Sequence, residues 1–216
     1  MAKAGRVIAG SAKGTRLRSP GAGTRPLADR VKETLFAILE PDLPGATVLD
    51  LFAGSGAGGI EALSRGAARA VFVERDTVAA RVIGENLTLS RLADRGHVAR
   101  ADVGTYLKER AGHDGPFDVV LVDPPYAEVA LLDATLTLLG GGDIPLLAPR
   151  AWVVAKHFWR TPPPPAAGLL ASVRTRRFGE TALTFYRPGR DAPTGPGLVG
   201  DGAGDPPAGD APGGSQ

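Results

Sequence analysis

Thr47-Val48-Leu49-Asp50-Leu51-Phe52-Ala53-Gly54-Ser55-Gly56-Ala57-Gly58-Gly59 passes from a buried-strand pattern directly into glycines, and residues 60–65, closed by Gly66, have helical character. Strand, glycine turn and helix make the unit that lets a backbone approach a nucleotide-like ligand. Ala70-Val71-Phe72-Val73 reads as the next strand and ends at Glu74, 24 residues after Asp50. A carboxylate there can accept hydrogen bonds from both hydroxyls of a ribose. Gly54, Gly56 and Gly59 also satisfy the G-x-G-x-x-G spacing of NAD(P) enzymes, so the loop alone leaves two ligand classes open. Asp50 leans toward S-adenosylmethionine, because it can meet the ammonium of the methionine moiety and would repel a pyrophosphate. Asp102 follows the strand-like residues 97–101 and could accept from an adenine amino group; an exposed strand-end carboxylate is the plainer alternative.

A second strand end narrows the chemistry. Phe117-Asp118-Val119-Val120-Leu121-Val122 is the most continuous apolar run, and it ends in Asp123-Pro124-Pro125-Tyr126. Two prolines lock the backbone there and keep the Pro124 carbonyl from being drawn into a helix. Asp123 adds a carboxylate acceptor and Tyr126 an aromatic face. A planar amino group needs this set: two acceptors for its two N–H bonds and a ring on which its base can stack. Holding both hydrogens favours pyramidalisation and aims the lone pair at a methyl donor.

Farther out, charge is unevenly spread. The 216 residues carry a formal charge of +2, yet residues 1–32 alone sum to +7 and residues 33–187 to −2. Arg6-Val7-Ile8-Ala9-Gly10 and Thr15-Arg16-Leu17-Arg18 alternate as the strands of a short basic hairpin. Arg6, Lys13, Arg16, Arg18 and Arg25 are the candidate contacts to a polyanion, with a solvated sheet edge as the alternative. A helix follows from about Asp29, a possible N-cap, with Val31, Leu35, Ile38 and Leu39 on one face, and Pro41 and Pro44 end it. Residues 188–216 hold 15 Gly or Pro in 29 positions with no aromatic side chain, the composition of a disordered tail.

The absence of Cys excludes disulfides, thiolate zinc sites and thiol nucleophiles, including the covalent route to pyrimidine methylation. His97 and His113 lack neighbours at ligand spacing, so no metal is expected. No apolar run approaches the roughly 20 residues of a membrane span and no signal pattern opens the chain, so a cytoplasmic monomer is the expectation. After Tyr126, residues 129–139 read as a helix ending at Gly140-Gly141-Gly142, Trp152-Val153-Val154-Ala155-Lys156 as a fifth strand, and residues 172–177 and 181–187 as a terminal hairpin turned at Gly179. His157-Phe158-Trp159-Arg160 leave the fifth strand beside Tyr126 as an aromatic-basic cluster; a hydrophobic cap is the competing reading.

These residues carry a resemblance. Asp50-Leu-Phe-Ala-Gly-Ser-Gly56, Glu74 and Asp123-Pro-Pro-Tyr126 are similar to motifs of class I S-adenosylmethionine-dependent methyltransferases acting on exocyclic amines. Arg6-Val-Ile-Ala-Gly10, Thr24-Arg-Pro26, Asp29-Arg-Val-Lys-Glu-Thr-Leu-Phe36 and Glu61-Ala-Leu-Ser-Arg-Gly66 resemble, more narrowly, the RsmD family. The likeness runs to about residue 187, through Arg177-Phe-Gly-Glu-Thr-Ala-Leu-Thr-Phe-Tyr186. It implies methylation of guanine N2 in bacterial small-subunit (16S) rRNA or the assembling small ribosomal subunit. It also implies Asp50, Gly54, Gly56, Glu74 and Asp102 for the cofactor and Asp123, Pro124 and Tyr126 for the base. The implied fold is an α/β, Rossmann-like, seven-stranded, mostly parallel sheet with an antiparallel terminal hairpin. The chain then divides into a basic arm (1–28), a methyltransferase domain (29–187) and a tail (188–216). Two positions depart from the family pattern: Leu27 stands where Thr is usual, and Gly58 where Leu is usual. Gly58 should loosen the loop by roughly 0.5–1 kcal/mol. Adenine N6, a protein glutamine, an NAD(P) oxidoreductase and a non-enzymatic RNA-binding module are the alternatives that these motifs leave.

Overall fold

The computed structural model describes residues 3–21, 29–126, 128–141 and 146–189. Arg25, Leu27, Gly142 and the tail beyond Gly189 lie outside the described residues. The strand beginning at Thr47 is β3 (Thr47–Leu51), and its glycine turn leads into α2 (Ala57–Ser64). The chain then winds outward through β4 (Arg69–Glu74), α3 (Thr77–Leu89) and β5 (Gly96–Arg100). It returns through α4 (Val103–Glu109) and α5 (Ala111–Asp114) to β6 (Phe117–Val122), on the other side of β3. β7 (Leu147–Phe158) pairs parallel to β6, while β10 (Thr181–Pro188), β9 (Leu170–Phe178) and β8 (Ala166–Ala167) extend the sheet antiparallel. The order is β5-β4-β3-β6-β7-β10-β9-β8. Winding reverses between β3 and β6, so a crevice opens at their carboxyl ends.

Strand alternation divides the sheet between two apolar layers. Val48, Phe72, Val119, Leu121, Val154 and Phe185 face α2, α3 and α1 (Asp29–Leu39). Leu49, Leu51, Val71, Val120, Val122 and Val153 face α4, α5 and α6 (Val129–Gly140). Asp50 and Asp123 fall in the first register, on the α2 side.

The sheet has eight strands where the sequence reading expects seven. The eighth, β8, is two residues long, too short to leave a hydrophobic period. It forms because Gly168, at φ +58°, turns the chain back onto β9, and Leu169 N–H donates to the last carbonyl of α6, on Gly140, at 2.9 Å.

The basic arm is a docked hairpin. Its strands are β1 (Lys3–Arg6) and β2 (Arg16–Arg18), paired antiparallel as a separate two-stranded sheet. Buried Val7 and Leu17 anchor it in the α1–α2 layer. Both oxygens of fully buried Glu61 accept backbone N–H groups from the hairpin, Ile8 at 2.8 Å and Ala9 at 3.0 Å. Glu61 also pairs with Arg65 at 2.9 Å and with buried Lys32 at 3.7 Å. The Lys32 ammonium donates to the Arg6 carbonyl as well, and burial lowers its pKa against the opposing pull of Glu61. The turn sits on Ser64, whose carbonyl accepts from Ser11 N–H at 2.8 Å and whose Oγ accepts from Ala12 N–H at 2.9 Å. Gly10, at φ +82°, is required there, since a Cβ would lie 1.9 Å from the Ser64 carbonyl oxygen.

Removing Glu61 would strand the Lys32 charge and two hairpin amides. Glu61→Ala should therefore destabilise the protein by about 3–5 kcal/mol. Urea unfolding would read that loss, and limited trypsin digestion should cut at Lys13 and Arg16 sooner than in the parent. A wild-type midpoint and wild-type cleavage would show that the hairpin docks by other means.

Candidate active site at the crevice

The glycine loop is drawn between two carboxylates. Asp50 is 5% exposed, and its Oδ2 accepts the Gly59 N–H at 2.8 Å, in the first turn of α2. Glu74, at the end of β4, accepts the Gly54 N–H through Oε2 and the Asp76 N–H through Oε1, each at 2.9 Å. Gly54 and Gly56 take φ of +55° and +76°, as a turn that brings the backbone up to a ligand requires. Phe52 is also left-handed, at φ 60°, an outlier for a bulky residue that nothing in the sequence signals.

Gly58 corrects the sequence reading. It lies inside α2 and not in the turn, and a Cβ there would come 2.7 Å from Leu121 Cδ1 and 3.2 Å from Asp50 Oδ2. A Cβ on Gly59 would come 2.3 Å from the Phe72 ring. These glycines seat the helix on the sheet and do not slacken the loop.

Burial pushes the Asp50 carboxyl up to about 7; the Gly59 N–H opposes the shift, and the charges of Asp123 and Glu74 add to it. Asp102 is exposed and caps α4, accepting from Thr105 N–H at 3.2 Å. It stands at the same edge as Glu74, because Ala101 N–H donates to the Glu74 carbonyl at 3.2 Å.

On the other side of the crevice, β6 delivers Asp123 onto the α2 face. Val122 pairs with Ala155 in the parallel register, so Asp123 falls beside Lys156. The Lys156 Nζ meets both carboxylate oxygens, Oδ1 at 2.6 Å and Oδ2 at 2.7 Å. Burial raises the Asp123 pKa and the Lys156 ammonium works against that rise. The same Nζ lies 5.2 Å from the centre of the Tyr126 ring, and the Tyr126 hydroxyl is hydrogen-bonded to Thr181 Oγ1 at 2.8 Å. Pro124 is buried, Tyr126 half-buried, and a shallow recess beside them is lined by Pro125, Lys156, His157 and Phe158.

Lys156 and Thr181 were missed from sequence. Lys156 closes a predicted strand, but only the β6–β7 register reveals that it faces Asp123. Asn86 was missed as well. It is fully buried, its Nδ2 donates to the carbonyls of Arg18 and Ser55, and its Oδ1 accepts the Arg18 N–H. The hairpin is thereby tied to the glycine loop.

The candidate RNA residues separate. Arg6 pairs with Asp29 at 3.4 Å and Arg18 with Glu85 at 2.6 Å. Lys13 and Arg16 are exposed, and no carboxylate among the described residues pairs with either. Lys13 rides the turn at the Ser64 end of α2, one helix length, roughly 10 Å, from the glycine loop. His157 leaves the proposed surface cluster. It is buried, hydrogen-bonded to the Phe158 carbonyl and Thr184 Oγ1, and burial lowers its pKa. Among the described residues, no group of His, Asp and Glu could hold a metal ion, and no helix is long and apolar enough to cross a membrane.

The fold recurs in a solved structure, "Putative methyltransferase yhhF from Escherichia coli", with a TM-score of 0.76, 33% identity and coverage of 87% of this chain and 98% of that one. Fold and crevice together define a class I methyltransferase architecture. The chain belongs to the family described as Conserved hypothetical protein 95, whose pattern it matches over residues 5–187. Relatives include "Putative rRNA methyltransferase YlbH" of Bacillus subtilis, 38% identical over 183 residues, covering 84% of this chain and 98% of that protein. "Ribosomal RNA small subunit methyltransferase D" of Haemophilus influenzae is 36% identical, with 70% of this chain and 86% of the relative covered.

Lys156 is the charge that opposes burial at Asp123. Lys156→Met therefore leaves burial unopposed, and the Asp123 titration midpoint should move upward in carboxyl-carbon NMR. An unmoved midpoint would show that the ion pair does not set the charge of Asp123.

Proposed function

We propose that the chain transfers a methyl group from S-adenosylmethionine to the exocyclic N2 amine of a guanine in small-subunit rRNA. The observation that carries this reading is the meeting of Asp50, on β3, and Asp123, just past the end of the neighbouring β6, at one switch-point crevice. Membership of a family with relatives named as small-subunit rRNA methyltransferases supports the substrate class.

The residues fit the cofactor. A buried carboxylate poised at about 7 wants a cation, and the ammonium of the methionine moiety is one. Glu74 offers acceptors to ribose hydroxyls, Gly54 and Gly56 allow close approach, and Asp102 stands at the adenine end. When bound, S-adenosylmethionine supplies a methyl group on a sulfonium, open to in-line attack by an amine lone pair. Asp123 and the Pro124 carbonyl accept the two N–H bonds of the target amine, and Tyr126 stacks on its base. Each carboxylate oxygen has two lone pairs, so Asp123 can hold Lys156 and the amine together. The Lys156 ammonium opposes the rise that burial gives the Asp123 pKa; Asp123 orients the amine, and the departing proton leaves to water.

Labelled methyl transfer to small-subunit rRNA, naked and in assembling particles, followed by nucleoside analysis, tests the proposal; N2-methylguanosine is expected, and N6-methyladenosine would overturn the choice of base. Asp123→Ala should lower turnover by about 10²-fold or more, with adenosylhomocysteine affinity little changed in calorimetry. Undiminished turnover would remove Asp123 from the mechanism.

Cofactor binding should also release a proton. An ammonium against Asp50 favours the carboxylate, so the pKa falls on binding. At pH 6 the free protein holds that proton in about nine molecules of ten, given a midpoint of about 7. Calorimetry in buffers of different ionisation enthalpy should then show close to one proton released per adenosylhomocysteine, and none in Asp50→Asn. A buffer-independent enthalpy in the parent would place the ammonium elsewhere.

A further inference from the structure

The carboxyl end of β7 holds a second cluster of basic side chains. Trp159 directly follows that strand, and two guanidinium groups lie over its indole, Arg177 at 3.6 Å and Arg160 at 4.9 Å from the ring centre. Phe158 packs against the same indole, with ring centres 6.5 Å apart. Both arginines are exposed and Trp159 is half-exposed. Among the described residues, no carboxylate lies within ion-pair distance of either arginine; Glu180 and Glu128 are the acids nearby in the chain and at the recess. The Arg177 Nε donates to the Gly179 carbonyl at 2.9 Å, and Trp159 N–H donates to the Glu180 carbonyl at 3.1 Å. The β9–β10 turn is thus tied to the end of β7.

This cluster is registered to the target-base site. Phe158 lines the recess and pairs with Thr181 across the β7–β10 ladder, and Thr181 holds the Tyr126 hydroxyl. A base seated on Tyr126 would have its flanking nucleotides leave the crevice near Trp159.

We propose that Trp159, Arg160 and Arg177 form an RNA-contact surface that grips the phosphodiester backbone flanking the target nucleotide. This rests on the rRNA reading above and adds the place where the strand is held. A guanidinium stacked on an indole keeps its in-plane N–H groups for a phosphate and has already lost much of its rotational freedom. Two unpaired arginines fixed this way are organised for bidentate phosphate contact, and the indole edge is available to a neighbouring base. The N-terminal hairpin has part of its charge engaged by Asp29 and Glu85, whereas this surface does not.

The test is the full-length double variant Arg160→Gln/Arg177→Gln, exposed positions whose replacement spares the core. The KM for rRNA should rise about 10-fold or more, kcat should stay within about twofold, and adenosylhomocysteine affinity should be unchanged. The slope of log affinity against log salt should fall by about 1–2, since each lost phosphate contact removes about 0.7–0.9. Wild-type affinity and slope would overturn the proposal. So would a defect confined to assembling particles with naked-RNA binding intact, which would assign the surface to an acidic protein. Affinity and slope need no turnover, so a failure of the methyl-transfer reading would show in the parent protein and is distinguishable from a failure here.

Discussion

The hydrogen bond from the Gly59 amide to the buried Asp50 carboxylate is the constraint from which the rest of the molecule follows. Gly56, which precedes helix α2, is left-handed and has no side chain to cap the first turn. Asp50 supplies the missing acceptor from the neighbouring strand, and its charge faces the positive end of the helix. That bond is reached only because Gly58 and Gly59 let α2 settle onto Leu121 and Phe72. The seated helix in turn presents Glu61 and Ser64 to the hairpin. The hairpin runs back along α2 and is tied through Asn86 to Ser55, in the same loop where α2 began. Cofactor loop, helix and hairpin therefore form a closed circuit of contacts. Disturbing the buried acid at one end should be felt at the hairpin.

Electrostatics divides the crevice along the switch point. Asp50, Glu74 and Asp102 lie on the β3–β4–β5 side, where a cationic methyl donor is expected. Lys156, Arg160 and Arg177 lie on the β7–β10–β9 side, where a polyanion is expected. Asp123 stands at the boundary, and Lys156 keeps it from adding its full charge to the acidic half. Two oppositely charged ligands can share one opening because the sheet separates the charges that attract them.

What the sequence revealed follows from how local each signal is. The glycine turn, Glu74 and Asp123-Pro-Pro-Tyr126 are contiguous or fall at strand ends, so spacing alone exposes them. Lys156 became meaningful only through the parallel register that sets it beside Asp123. Glu61, Lys32 and Arg65 read as ordinary helix-surface charges, and nothing local marks them as a buried network under the hairpin. The +7 of the first 32 residues overstated the free charge, since Lys32 is buried and Arg6 and Arg18 are paired. His157 looked like a neighbour of Trp159, but alternation along β7 turns it into the core. Trp159 lies past the end of the ladder and escapes that alternation.

A buried carboxylate without a cation is a cost that the ligand-free chain carries. The folded-state pKa of Asp50 is about 7 against an ordinary value of 3.8, so the folded chain binds a proton more tightly than the unfolded one. Its contribution to stability is fully present below the unfolded pKa and is lost as pH rises toward 7. At neutral pH the site is therefore strained by the charge that the proposed cofactor contact requires. A bound ammonium reverses the sign, because it stabilises the ionised carboxylate and binds only the folded chain. The same acid that anchors α2 thus makes the glycine loop most firmly held when the cofactor is in place. The hairpin, tied to that loop through Asn86, should likewise be most ordered in the loaded state.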